Sequence, residues 1–125
     1  MKFISTISAP RAIGPYSQAV VANGFLFTAG QVPLDPATGK LVEGDLTASA
    51  ERVFDNLEAI LSEAGLAFSD VVKATVYLTR AEDFGPMNAV YTHRFGEHRP
   101  ARSTVIVAAL PAGAPLEIDL IARAK

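Results

Sequence analysis

The sequence predicts an α+β fold, a mixed β-sheet with both helices packed on one face. Three observations carry the prediction. Hydrophobic periodicity along the 125 residues runs strand, strand, strand, helix, strand, helix, strand, strand, so short strands and amphipathic helices must share one core. Hydrophobic residues make up 50% of the chain and charged residues only 19%, against about a quarter charged in a typical soluble protein. Two helices can cover one sheet face, and the other is too apolar to meet water, which points to self-association. No linker, internal repeat or low-complexity segment divides the sequence, so residues 1–125 are expected to form one domain.

Taken in order, Ile4–Ile7 reads as a short edge strand before Pro10. Ala19–Ala22 and Phe25–Gln31 read as a hairpin about Asn23 and Gly24, because a type I′ turn needs positive φ at both central residues. Asp35, Pro36 and Gly39 mark a further turn. From Thr47 to Ala64 the period lengthens. Ala50, Val53, Phe54, Leu57, Ile60, Leu61 and Ala64 recur at three and four, with Glu51, Asp55, Glu58 and Glu63 mostly on other faces. Asp45 or Thr47 is the candidate N-cap and Gly65 the terminator. The β-branched run of residues 70–79, "DVVKATVYLT", is a strand. A second helix spans Asp83–Phe95 and ends at Gly96, with Phe84, Met87, Tyr91 and Phe95 on one side. Ser103–Ala109 and Leu116–Ala122 are the last strands, expected to pair as a hairpin about "LPAGAP".

Several function classes lose their footing at this stage. The net charge is −2, and the densest positive stretch, "THRFGEHRPAR", is broken by glycine, glutamate and proline, so nucleic acid is not the expected partner. Without cysteine there is no disulfide, thiol nucleophile or thiolate metal site. His93 and His98 lie five apart, outside facing helical spacing, and no metal is expected. The glycines match neither nucleotide-binding spacing, so no nucleotide cofactor is expected. No apolar stretch is long enough to span a membrane and the first residues carry no export signal, which makes the cytoplasm the expected location.

Two charges stand among apolar neighbours near the end of the chain. Arg102 shares a strand face with Thr104, Ile106 and Ala108. It reads either as a rim residue whose stem covers apolar surface or as a bidentate clamp for a small carboxylate. Glu117 shares a face with Asp119, Ile121 and Arg123. That face reads as merely solvated, or else Glu117 orients and deprotonates a water in a sheltered pocket. In the expected hairpin the two side chains would be on the order of 20 Å apart, so one small ligand could meet both only across a subunit boundary. Further polar candidates are Tyr16, Thr28, the backbone at Gly30, and Asn88 and Tyr91 on the second helix. Tyr16 equally suits packing, Gly30 a strand bulge and Asn88 an ordinary helix surface.

The segments "AIGPYSQAVVANGFLFTAGQVPLDPATG", "VVKATVYLT", "FGPMNAVY" and "RPARSTVIVAALPAGAPLEIDLIA" together resemble the Rid family of reactive-intermediate imine deaminases, in its enamine/imine deaminase branch. The resemblance implies a chorismate-mutase-like subunit assembled as a barrel-like homotrimer with pockets between subunits. It implies cofactor-free hydrolysis of 2-imino acids such as 2-iminobutanoate and 2-iminopropanoate, formed by pyridoxal-phosphate dehydratases, to 2-oxo acids and ammonia. It assigns Arg102 to the substrate carboxylate and Glu117 to the attacking water. Tyr16, Thr28 and Gly30 would form the opposing wall, with Asn88 and Thr104 near the ligand. Thr104 departs from the cysteine of many relatives, a change the proposed chemistry tolerates because it needs no thiolate. The competing readings are a non-catalytic 2-oxo-acid binding or sensing protein and, further off, a ribonuclease or chaperone.

Overall fold

The computed structural model describes residues 1–124. Its elements are β1 (Lys2–Ile4), β2 (Ala19–Ala22), β3 (Phe25–Thr28), α1 (Leu46–Glu63), β4 (Val71–Leu78), α2 (Phe84–Phe95), β5 (Ala101–Ile106) and β6 (Leu116–Arg123). The expected order holds, and the six strands form one mixed sheet in the order β1-β2-β3-β6-β4-β5.

The local signals account for most boundaries. Asn23 and Gly24 both take positive φ, 53° and 83°, and close the β2–β3 hairpin. Asp45 caps α1 by accepting from the Ala48 N–H at 2.9 Å, and Gly65, at φ 75°, ends it. The first strand lies two residues earlier than the expected Ile4–Ile7, and β5 covers 101–106 rather than 103–109. Asp83 occupies the N-cap of α2 but makes no capping hydrogen bond.

The expected hairpin between the last two strands does not form. β4 lies between them, antiparallel to β6 and parallel to β5. A parallel pair needs a crossover, and α2 supplies it, making β4-α2-β5 a βαβ unit.

Alternation along the central strands separates two layers. Ala74, Val76 and Leu78 of β4 and Leu116, Ile118, Leu120 and Ala122 of β6 are buried beneath the helices. Against them α1 places Val53, Phe54, Leu57, Ile60 and Leu61, all at most 1% exposed, and α2 adds Met87, Tyr91 and Phe95. Burial of each such large apolar side chain stabilises by about 1.5–3 kcal/mol. Phe84, expected on the same side, is 42% exposed. On the open face Phe3, Phe25 and Phe27 remain 68%, 40% and 40% exposed. Phe3, Val20, Phe27 and Ile121 stand in one cross-strand row there.

Candidate active site

Glu117 stands on the open face, opposite Tyr77 of β4, and its carboxyl lies directly over Gly30. A Cβ built on Gly30 would fall 1.9 Å from Glu117 Oε2 and 2.7 Å from its carboxyl carbon. Gly30 therefore leaves the room that the carboxyl occupies, and its φ lies outside the left-handed region. The segment that carries it is a bulge. Phe27 pairs with Ile121, whereas Gln31 pairs with Ile118, so four steps on one strand oppose three on the other. The Leu120 N–H that the bulge leaves unpaired donates to Thr28 Oγ1 at 3.0 Å. Beyond the bulge, Asn56 of α1 donates to the carbonyls of Val32 and Leu34, fixing the strand exit from beneath.

Burial raises the affinity of Glu117 for its proton, and the neighbouring Asp119 charge raises it further. Burial also raises Asp119, but a hydrogen bond from Tyr77 (3.0 Å) and the charge of Lys73 oppose the shift. Lys73 Nζ itself donates to Ser103 Oγ at 3.0 Å.

Arg102 belongs to the other side of the sheet. It stands level with Ala74, beneath α2, and donates from Nη1 to Asn88 Oδ1 at 2.8 Å. Its guanidinium carbon is 4.6 Å from the Tyr91 ring centroid and 5.6 Å from that of Phe84, within range of cation–π attraction. Asn88, Tyr91, Thr92, Arg99, Pro100 and Arg102 line a cavity of about 250 Å³. Two buried hydroxyls in this region, those of Tyr91 and Thr104, have no hydrogen-bond partner. Burial raises the Tyr91 phenol, and the charges of Arg102 and Arg99 offset part of that rise.

Most of the sequence candidates thus fall into two clusters on opposite faces of the sheet. Arg102, Asn88, Tyr91 and Thr104 gather on the helix side of the edge strand, while Glu117 lies over Gly30 on the open face; Thr28, opposite the buried Ala19 and alternating with Phe27, belongs to the helix side. Arg102 and Glu117 are two strands and three register positions apart, about 14 Å between backbones from strand spacing and rise. This is closer than the hairpin expectation, yet the sheet itself separates them. Tyr16 lies apart from the pairing network on the loop before β2, 54% exposed, and its hydroxyl accepts from the Ile13 N–H at 3.4 Å.

A second arginine, Arg94, is 15% exposed and bridges Glu51, Asp55 and Glu58 of α1 at 2.8, 2.9 and 3.5 Å. It clamps α2 to α1 on the helix layer and so fixes the helix that presents Asn88 and Tyr91 to Arg102. Sequence reasoning passed over Tyr77 and Asp119 as site residues. Asp119 was visible as the same-face neighbour of Glu117, whereas the Tyr77 contact depends on strand order. Among the described residues no three His, Asp or Glu side chains gather as metal ligands, and no helix is long and apolar enough to cross a membrane.

A guanidinium held by Asn88 on one face and a half-buried carboxyl on the other mark two separate polar clusters on a small α+β domain. Residues 6–124 match the family described as Endoribonuclease L-PSP. The chain is 48% identical over 121 residues to the 2-iminobutanoate/2-iminopropanoate deaminase of Mus musculus, covering 97% of this chain and 90% of that protein. It superposes on RidA from Psychrobacter sp. with a TM-score of 0.94 at 44% identity, covering 98% and 99% of the two chains. It is equally similar to Escherichia coli TdcF with bound serine, with a TM-score of 0.94 and 42% identity over the full length of both chains. The chain belongs to the Rid family.

Proposed function

We propose that this protein is a deaminase that hydrolyses small 2-imino acids and their enamine tautomers, such as 2-iminobutanoate and 2-iminopropanoate, to 2-oxo acids and ammonia. The observation that carries the reading is Arg102: a guanidinium fixed by Asn88, stacked on Tyr91 and opening on a cavity of about 250 Å³. Such a group suits the carboxylate of a three- or four-carbon acid. The similarity to the mouse deaminase supports the substrate class.

In the proposed reaction Arg102 holds the carboxylate while water attacks C2 of the protonated imine. The oxygen–carbon bond forms, the C=N π pair moves to nitrogen, and Glu117 takes a proton from the water. Return of that proton to nitrogen lets the C–N bond break as C=O forms, and iminium plus water becomes 2-oxo acid plus ammonium. Positioning and water control suffice for a modest acceleration of a reaction that also proceeds in water.

Because Arg102 and Glu117 face opposite sides of one sheet, the reading places each complete pocket between subunits, with Arg102 from one copy and Glu117 from the next. The exposed Phe3, Phe25 and Phe27 of the open face support association. We take the assembly to be a barrel-like homotrimer of single-domain chains, residues 1–125. Tyr16, Thr28, Gly30, Asn88 and Thr104 complete the pocket wall. Thr28 Oγ1 is engaged by Leu120 N–H, so its part is to hold the bulge. The substrates arise from pyridoxal-phosphate dehydratases acting on serine or threonine, and the cytoplasm is the proposed place of action. RNA cleavage, the activity in the matched family's description, is not adopted, because the chain carries a net charge of −2 and no basic stripe.

The test couples a threonine dehydratase to this protein and follows imine decay at low buffer amine. Faster decay with wild type, and loss of the acceleration in correctly assembled Arg102→Ala, is the expected result. Unchanged decay with wild type would leave a binding protein, and equal turnover by the variant would refute the carboxylate role.

A further inference from the structure

We propose that Asp119 is a positioning residue that keeps Glu117 a strong proton acceptor, by holding a negative charge two residues along the same face of β6 while Tyr77 anchors it. The proposal rests on the reading of Glu117 as the base. Side chains two apart on a strand share a face at about 7 Å, close enough for one carboxylate to raise the proton affinity of the other.

What makes the pair unequal is the distribution of partners. Tyr77 is the direct cross-strand neighbour of Glu117, yet its hydroxyl reaches diagonally to Asp119 Oδ2 at 3.0 Å. Within one subunit the titratable and charged groups facing Glu117 are Asp119 and, farther along, Arg123 on β6, with Tyr77 and Lys73 on β4; in the proposed assembly Arg102 of the neighbouring copy joins them and opposes the effect of Asp119, equally in wild type and in every Asp119 variant. The segment after β3 brings Gly30 against the Glu117 carboxyl. Asp119 thus has a donor in Tyr77 and a cation in Lys73 to favour its ionised form, and Glu117 has neither within the subunit. Within the subunit this unequal set of partners favours the ionised form of Asp119 over that of Glu117. The directions of the two shifts agree: Asp119 reinforces the rise at Glu117, whereas Tyr77 and Lys73 oppose the rise at Asp119.

The sign of the pH effect follows. Glu117 serves as a base only when ionised, so activity falls as pH drops through its pKa. Removing the Asp119 charge lowers that pKa and moves the acid limb of kcat/KM to lower pH. The experiment titrates the side-chain carboxyls by NMR with ¹³C-labelled Glu and Asp in assembled wild type, Asp119→Asn and Asp119→Glu, alongside their pH–rate profiles. The Glu117 titration and the acid limb should move down together in Asp119→Asn and stay near wild type in Asp119→Glu, which retains the charge. A Glu117 titration unmoved in Asp119→Asn, or moved as far in Asp119→Glu, overturns the proposal. Tyr77→Phe gives a second reading: Asp119 loses its donor and titrates at higher pH, and an unmoved Asp119 overturns the asymmetry. Glu117→Gln separates this inference from the one beneath it. Wild-type turnover by that variant would remove Glu117 as base, while the NMR titrations would still report the coupling to Asp119.

Discussion

Gly30 carries no side chain because the Glu117 carboxyl occupies the place where one would be. Gly30→Ala would put a methyl 1.9 Å from Glu117 Oε2, and since the clash is with a side chain, the carboxyl swings away while the strand remains. A displacement of about 1 Å at a reacting group is enough for a loss of about 100-fold. The expected outcome is a fall of that order in kcat with unchanged circular dichroism and assembly; full activity would show that the carboxyl need not rest on Gly30. At this scale the sequence was informative where a residue type was out of place. Arg102 and Glu117 stood out as charges in apolar strands, and Gly30 was readable as a strand bulge, which the register between β3 and β6 bears out. Asn88, ordinary as a helix-surface asparagine, becomes specific only once β5 lies beneath α2. The Tyr77–Asp119 contact was not legible, because which strand faces Glu117 is a matter of pairing order.

Elements were legible where periodicity is local and strong, as in α1 and the Asn23–Gly24 hairpin. The pairing of β5 and β6 was misread because a six-residue link between two antiparallel strands suits a hairpin, and nothing local says that β4 has taken the place between them. The signal that could have corrected it was the order strand, helix, strand from β4 through α2 to β5, which favours a parallel pair with a helical crossover. The position of α2 over β5 then matters for chemistry, and Arg94 secures it. Arg94 draws Glu51, Asp55 and Glu58 together and lies 5.7 and 5.9 Å from the Phe54 and Phe68 ring centroids. Arg94→Ala leaves three carboxylates of α1 without their shared cation and removes the guanidinium that lies over both rings. The carboxylates are substantially exposed, so screening limits the cost to about 1–2 kcal/mol. Urea unfolding should show that loss with the native fold retained, and a change below a few tenths would mean that apolar packing alone fixes α2.

At the scale of the whole molecule the two clusters impose a condition on assembly. Within one chain the sheet lies between Arg102 and Glu117, so on the proposed reading a ligand that meets both lies between copies, with the exposed aromatic row of the open face as the proposed surface of contact. This arrangement predicts complementation between two inactive proteins. Arg102→Ala retains a working Glu117, and Glu117→Gln retains a working Arg102. When the two are unfolded together and reassembled at equal concentration, a pocket with Arg102 from one chain and Glu117 from the next is complete in about a quarter of random pairings in a closed ring. Imine hydrolysis should therefore return to about a quarter of the wild-type rate in the mixture, while each variant reassembled alone stays inactive. The double variant mixed with wild type gives the opposite comparison: shared pockets again leave about a quarter complete, whereas pockets contained within one chain would leave half. No recovery in the first mixture, in the presence of mixed oligomers verified by native mass spectrometry, would mean that each chain completes its own site.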